Sequence, residues 1–169
     1  LGPLVVNIAH SPPLPTDDTD LVITARAVRT YDPVAKLTLS YRVMFTNEVS
    51  LAMLDDGLHG DGLAADGVFG AMIPASASRP GQMVRYAIRT VDANGASSRW
   101  PPYPDPKNSP QYFGTMVADP NGTSPLPVLY WFIQNPRTAD SESGARSSVF
   151  FAGEFYDNVL MELRGNTSA

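Results

Sequence analysis

The side chains best suited to chemistry lie in an acidic, glycine-rich stretch between residues 54 and 70. It holds four aspartates, Asp55, Asp56, Asp61 and Asp66, among five glycines, with no lysine or arginine. Glycine is costly to order and aspartate favours turns, so this composition predicts a loop. Its negative charges must be offset by backbone N–H groups and water, or by a hard cation such as Ca²⁺, which takes carboxylate and carbonyl oxygens. The spacing is not that of an EF-hand. The four aspartates are a candidate calcium site, with a self-capped turn as the alternative.

The rest of the sequence offers little catalytic chemistry. It contains no G-x-S-x-G, Walker or G-x-G-x-x-G motif, and no cysteine. Its two histidines, His10 and His59, do not form a zinc pattern. Four carboxylates near the C-terminus would suit an acid–base pair, although their spread is more typical of a solvated face; they are Glu142, Glu154, Asp157 and Glu162. We therefore predict that this chain is not an enzyme.

Composition limits the class of protein and its partners. The 169 residues are 43% apolar and 17% charged, which suits a folded domain with a core. A net charge of −5 argues against a nucleic-acid partner, and no apolar run approaches the length of a membrane-spanning helix. The absence of cysteine excludes a disulfide scaffold. Because the chain starts at Leu1 rather than at methionine, we expect a processed or excised piece of a longer protein.

Short alternating strands are predicted for residues 1–118. The clearest alternation places five residues on one face: Leu37, Leu39, Tyr41, Val43 and Phe45. In a later strand Val84, Tyr86 and Ile88 alternate in the same way with Arg85, Ala87 and Arg89, and Tyr86 is expected to face the core. About seven such strands with regular turn signals are typical of an antiparallel sandwich. The predicted fold is therefore all-β, an immunoglobulin-like or fibronectin-III-like sandwich with an additional C-terminal strand and hairpin.

The remaining residues predict a different unit. A proline-rich strap over residues 100–110 is expected to be stiff and extended. Residues 119–169 then read as an apolar strand near 126–133, a short helix near 135–142 and a hairpin turning at Ala152-Gly153. Together with Tyr103, Tyr112 and Phe113, this segment holds most of the aromatics of the chain, which we expect to be buried at the edge between sandwich and hairpin, with a carbohydrate or peptide platform as the alternative. Its strand edges would be open to pairing with other chains.

Two resemblances add to this picture. Residues 126–128 (Leu-Pro-Val), the hairpin Gly153-Glu154-Phe155-Tyr156-Asp157-Asn158-Val159 and the loop over residues 163–168 resemble the opening of the CotH spore-coat kinase-like domain. That family has a basic residue where this chain has Glu162. The acidic loop resembles one found in immunoglobulin-like modules of large secreted bacterial proteins. The domain prediction is thus a sandwich over 1–118 and the start of a CotH-like domain over 119–169.

These resemblances imply a function without catalysis. We expect a structural, adhesion or spacer module of a bacterial surface or secreted protein, located outside the cell, whose partners are other proteins. One alternative is a subunit that assembles into a filament or layer through its open C-terminal strands, as a homo-oligomer. Another is an inactive fragment of a CotH-type atypical kinase, because the chemistry of phosphoryl transfer requires a complete fold. Apart from calcium, no cofactor is expected.

Overall fold

Three antiparallel sheets are stacked in this protein, which we describe from a computed structural model over residues 2–122 and 124–163. The first sheet has the order β1 (Leu4–Ser11), β2 (Leu21–Val28), β5 (Val68–Ile73). The middle sheet has the order β4 (Val49–Met53), β3 (Val34–Val43), β6 (Met83–Asp92), β7 (Ser97–Trp100), and β8 (Phe113–Met116) also pairs with β6. The outer sheet has the order β11 (Glu154–Met161), β10 (Ala145–Phe151), β9 (Leu129–Ile133). The first two sheets form the predicted sandwich.

The main core lies between the first and middle sheets. Alternate residues of each strand point into it, and Ile23, Leu39 and Ile88 are fully buried there. The inward positions of β3 are confirmed for Leu37, Leu39, Tyr41 and Val43. Side chains that alternate across a strand point to opposite faces, so this pattern fixes which face of the strand is buried. The all-β, immunoglobulin-like fold class is confirmed.

A second core lies between the middle and outer sheets. It is built from Met83 and Met116 of the middle sheet and from Phe132 and Phe150 of the outer sheet. As a result β6 is covered on both faces, and its residues from Met83 to Ile88 are all buried. Arg85 and Ala87 alternate with Tyr86 as predicted, but both are buried rather than solvent-exposed.

The end of β3 departs from the predicted alternation. Met44 has a positive φ of 51° and its N–H donates to the carbonyl of Met83 at 2.9 Å. This left-handed residue interrupts the alternation of β3. Phe45 therefore packs with the second core rather than the main one, and the guanidinium of Arg85 lies 5.2 Å from its ring centre. The prediction of an inward Phe45 was wrong for this reason.

The C-terminal segment has a strand, a short helix and a hairpin. Helix α1 (Pro136–Ala139) begins with proline after the N-cap Asn135, whose side-chain oxygen accepts from the N–H of Arg137. Ala152 and Gly153 have φ values of 52° and 86°, as a tight turn between β10 and β11 requires. The assignment of 119–169 to a CotH-like domain stays a prediction, and residues 164–168 of the resembling loop lie outside the described residues.

The proline-rich segment is irregular, as expected, but it is not fully extended. A turn follows Asp105, whose carbonyl accepts from the N–H groups of Asn108 and Ser109. In residues 2–122 and 124–163 no helix has the length and apolarity needed to cross a membrane.

Candidate functional site

The acidic loop connects β4 to β5 and is organised around Asp61. This residue is only 2% exposed. Its Oδ2 accepts from the N–H groups of Asp56 at 2.8 Å and Gly57 at 2.9 Å, and its Oδ1 accepts from that of His59 at 2.9 Å. These hydrogen bonds hold the pKa of Asp61 below its ordinary value, and the bond from the N–H of Gly57 has the largest effect. Asp61 is therefore an internal cap that closes the loop on itself.

The other three aspartates are bonded in the same way. Asp55 accepts from the N–H groups of Asp66 at 3.2 Å and Gly67 at 2.9 Å. Asp66 in turn accepts from the N–H of Val68 at 2.9 Å. Asp56 lies 2.8 Å from Nδ1 of His59, and this hydrogen bond is the main reason that the pKa of Asp56 is lowered.

In the structure each of the four predicted site residues thus accepts hydrogen bonds from nearby groups of the loop. Within the part of the chain that the structure describes, no three histidine, aspartate or glutamate side chains are gathered closely enough to hold a metal ion. The hydrogen bonds are those of the self-capped turn that the sequence left as the alternative. Calcium binding by Asp55, Asp56, Asp61 and Asp66 stays a prediction, and it would require carboxylates to exchange N–H partners for the cation.

The two histidines have unrelated roles. His59 belongs to the acidic loop, whereas His10 on β1 is half-buried, with Nδ1 3.0 Å from the hydroxyl of Tyr86. Burial lowers the pKa of His10 and raises that of Tyr86, because both charged forms lose solvation. The imidazole of His10 therefore provides a hydrogen-bond partner for the buried hydroxyl of Tyr86 at the edge of the core.

A buried charged joint connects the outer sheet to the sandwich. The side chain of Asp157 on β11 is 3% exposed and lies 3.6 Å from Nη1 of Arg85 on β6. Its Oδ2 accepts from the N–H groups of Gln111 at 3.0 Å and Tyr112 at 2.9 Å, and its Oδ1 from the hydroxyl of Ser148 at 2.7 Å. Burial lowers the pKa of Arg85, and the charge of Asp157 acts against this. One carboxylate thus connects β6, β10, β11 and the segment before β8.

An aromatic stack surrounds this ion pair. The ring centre of Tyr112 lies within cation–π distance of two guanidinium groups, 5.1 Å from that of Arg85 and 5.4 Å from that of Arg99. The hydroxyl of Tyr112 donates to Glu48. Cation–π contacts contribute about 0.5–1 kcal/mol when exposed and about 2 kcal/mol when desolvated, so the contact with the buried Arg85 is expected to be stronger than that with the half-buried Arg99. Arg99 also donates to the carbonyl of Pro101 at 2.7 Å, which attaches the proline-rich segment to the same cluster.

The next residue of β11 extends the joint. Asn158 has a positive φ of 59° at a bulge opposite β10. Its Nδ2 donates to the carbonyls of Pro106 at 3.0 Å and Ser109 at 2.7 Å. The edge of the outer sheet at β11 is therefore held by the proline-rich segment of the same chain.

The importance of Asp157 was missed in the sequence, where it was grouped with carboxylates of a solvated face. One signal was available: it stands inside an apolar strand, between Phe155 and Val159, where an isolated charge is costly. Its partner Arg85 also stands inside an apolar strand.

The solvent face of the outer sheet carries several large apolar side chains that are exposed. Trp131, Val149 and Tyr156 are directly opposite one another on adjacent strands and so share this face. Leu129 is 55% exposed, Trp131 44%, Phe151 39% and Tyr156 48%. The expectation that the aromatics are buried against the sandwich holds for Tyr112, Phe132 and Phe150, but not for this face.

An apolar groove continues this face beyond α1. It has a volume of about 860 Å³, and its walls include Trp131, Ala139, Leu160 and Leu163. Arg137, Asp140 and Glu162 are the charged residues at its lining. An apolar groove with a few charged groups is typical of a contact site for another molecule.

Comparison with known proteins agrees with the sandwich. Residues 21–99, just under half of the chain, match the family model of the second immunoglobulin-like domain of conditioned medium factor. The matched range begins at β2 and ends within β7, so it covers most of the first two sheets. No curated protein matches this chain. The protein therefore contains an immunoglobulin-like module, a fold that is typically non-catalytic.

Proposed function

We propose that this chain is a non-catalytic spacer or adhesion module of a bacterial surface or secreted protein, acting outside the cell through contacts with other proteins. The observation that carries this proposal is the buried joint around Asp157 and Arg85. It fixes the outer sheet on an immunoglobulin-like sandwich, so the two parts form one rigid body rather than two units on a flexible linker. A rigid body that presents an apolar face suits a module that holds or binds other proteins.

The location of the protein tests this proposal directly. Antibodies raised against this chain should label intact source cells or detect the protein in the culture medium. Labelling of disrupted cells is the control for antibody reactivity. If the protein is found only in the cytoplasmic fraction, the proposed role is wrong.

A second candidate function is self-assembly through the C-terminal strands, into a filament or layer. The observation that favours it is the outermost strand β9, which pairs only with β10 in the described residues. Unpaired strand edges are templates for pairing with another chain. Electron microscopy of the concentrated protein would show fibres or sheets if this function is correct, and isolated particles if it is not.

The third candidate, an inactive fragment of a CotH-type kinase, rests on the sequence resemblance. It predicts no turnover of ATP by this chain, because phosphoryl transfer requires metal-binding carboxylates, a base and a phosphate cradle held together by one fold. Release of labelled phosphate, or autophosphorylation, above that of a heat-denatured control would overturn the non-catalytic assignment.

A further inference from the structure

We propose that His10 is an acid-sensitive contact, which holds residues 8–15 on the sandwich while its imidazole is neutral and releases them when the imidazole is protonated. Residues 8–15 are the end of β1 and the segment that follows it, and we call them the His10 corner. This inference goes beyond the proposed function and does not rest on it, because it concerns how one part of the fold responds to pH.

The hydrogen bonds of His10 determine which of its ring nitrogens carries a proton. Nε2 lies 3.3 Å from the carbonyl oxygen of Pro13, and Nδ1 lies 3.0 Å from the hydroxyl of Tyr86. A carbonyl oxygen can only accept a hydrogen bond, so Nε2 must carry a proton. In the neutral ring Nδ1 is then unprotonated and accepts from the hydroxyl of Tyr86.

Protonation of Nδ1 disrupts this arrangement. An imidazolium has two donors and no acceptor, so the hydroxyl of Tyr86 can no longer donate to it. Tyr86 is only 2% exposed, and within the described residues its hydroxyl has no hydrogen-bond partner except His10. A buried hydroxyl that loses its acceptor destabilises the fold. The closed corner therefore favours the neutral imidazole.

The burial of the ring acts in the same direction. Loss of hydration disfavours the imidazolium and lowers the pKa of His10, and the hydrogen bond to the carbonyl of Pro13 opposes this only in part. The ladder partner of His10 on β2 is Ile23, which is apolar. Neither β8 nor the segment over residues 12–15 carries a charged residue.

The carboxylates nearest to this corner have partners of their own. His10 lines a groove of about 630 Å³ between β1 and β11, and the charged residues of its lining are Glu154 and Asp157. Asp157 is occupied by the buried joint, and Glu154 accepts from the hydroxyl of Tyr156. The other titratable residues that line the groove are Tyr86, Tyr112 and Tyr156. No free carboxylate of this lining is therefore available to stabilise an imidazolium.

The position of the corner in the fold explains why its release would be local. β1 is the edge strand of the first sheet, and its ladder with β2 is irregular between Val6 and Ala9. The start of β1 is fixed to the middle sheet, because the hydroxyl of Ser98 donates to the carbonyl of Pro3. Its end is fixed to the same sheet through His10 and Tyr86. Edge segments open at a lower free energy than the core, so we expect the sandwich to stay intact when this contact is lost.

The direction of the pH effect follows from linkage. Because the closed corner lowers the pKa of His10, protons bind more tightly to the open corner. The contact is therefore strongest above the ordinary histidine value of about 6.5 and weakens as the pH falls below it. Since one proton changes an equilibrium by at most about tenfold per pH unit, opening should increase by about three- to tenfold from pH 7.5 to pH 5.5.

Nuclear magnetic resonance of the full chain tests the hydrogen bonds of the ring. His10 and His59 are the two histidines of the chain, so His59→Gln assigns the ring signals. We expect His10 to carry its proton on Nε2 at pH 8 and to titrate below the range of an ordinary histidine. In Tyr86→Phe the donor to Nδ1 is absent, so His10 should titrate closer to the ordinary value.

Amide hydrogen exchange measures the opening itself. After correction for the pH dependence of intrinsic exchange, protection of the His10 corner should fall by about three- to tenfold between pH 7.5 and pH 5.5, while that of β3 and β6 stays constant. His59→Gln is the matched control, because it removes the other histidine and should respond like the wild type. His10→Gln cannot titrate in this range, so its corner should show no such pH dependence.

These measurements can overturn the proposal in three ways. A proton on Nδ1 alone in the neutral ring, or titration of His10 at or above the ordinary value, would refute the assigned contact. An equal response of the corner in the wild type and in His10→Gln would show that another group is responsible. Loss of protection across the whole sandwich would refute a local release. If circular dichroism shows that a variant is unfolded, the tautomer and titration of the wild type still decide.

Discussion

The joint around Asp157 gives the most demanding prediction, the effect of Asp157→Ala. The substitution removes three hydrogen-bond acceptor contacts, to Gln111, Tyr112 and Ser148, and leaves Arg85 buried without its partner. Removing one member of a buried ion pair costs about 3–5 kcal/mol. For a chain of this size we expect the melting temperature to fall by roughly 6–20 °C.

Fluorescence offers a specific assay, because the two tryptophans report on different sheets. Trp100 lies on β7 in the middle sheet and Trp131 on β9 in the outer sheet. The variants Trp100→Phe and Trp131→Phe each retain one tryptophan. While Asp157 is present, both should unfold at the same urea concentration. With Asp157→Ala the Trp131 signal should change at lower urea than the Trp100 signal, because the outer sheet loses its attachment first.

Two controls define the result that would refute this reasoning. Glu154→Ala removes an exposed carboxylate from the same strand and should change stability by about 0.5 kcal/mol or less. Arg85→Met combined with Asp157→Ala should lose about 1–3 kcal/mol less than the sum of the single changes. If Asp157→Ala behaves like Glu154→Ala, the joint does not hold the outer sheet in place.

Four further predictions concern the acidic loop, the second core and Tyr112 of the joint. Because hydrogen bonds lower the folded-state pKa of Asp61, its contribution is present above the ordinary carboxyl range and is lost as pH falls, so the melting temperature should drop below about pH 4, and less steeply in Asp61→Asn. If the loop binds Ca²⁺, calorimetry should show heat and a rise in melting temperature that a chelator reverses and Asp55→Asn weakens; no heat in the wild type would reject the calcium prediction. Gly114→Ala would place a Cβ 2.6 Å from the ring of Phe155 and should cost about 1–3 kcal/mol in urea unfolding, with Phe155→Leu partly restoring stability; no loss would show that the ring moves freely. Tyr112→Phe should lower the free energy of unfolding by about 1 kcal/mol, and Tyr112→Leu should lower it clearly more, because only the leucine variant removes the ring that contacts both arginines. Equal losses in the two variants would contradict a stabilising role for the ring.

The sandwich could be predicted from sequence because its signal is local. Leu37, Leu39, Tyr41 and Val43 alternate within one strand, and burial of one face is all that the pattern needs. The predicted position of Phe45 was wrong because Met44 adopts a positive φ. A non-glycine residue rarely does so, and no neighbouring residue type indicates it.

The joint could not be predicted in the same way. An arginine that alternates with apolar residues is normally solvent-facing, but Arg85 is covered by residues distant in sequence, namely Phe45, Tyr112 and Asp157. The partner Asp157 lies 72 positions later, and without knowledge of the packing nothing in the spacing connects the two. Long-range charge pairing in a third layer is therefore the part that periodicity does not encode.

The attachment of β11 has a mechanical consequence. Residues 117–128 provide the covalent route from the sandwich to the outer sheet, but a pull on β11 meets Arg85 and Tyr112 first, through Asp157. Tension would then spread sideways into β6, a strand that is bonded on both edges and packed on both faces. Rupture of the charged contact would detach the outer sheet before the sandwich unfolds, so the protein should extend in two distinct steps under load.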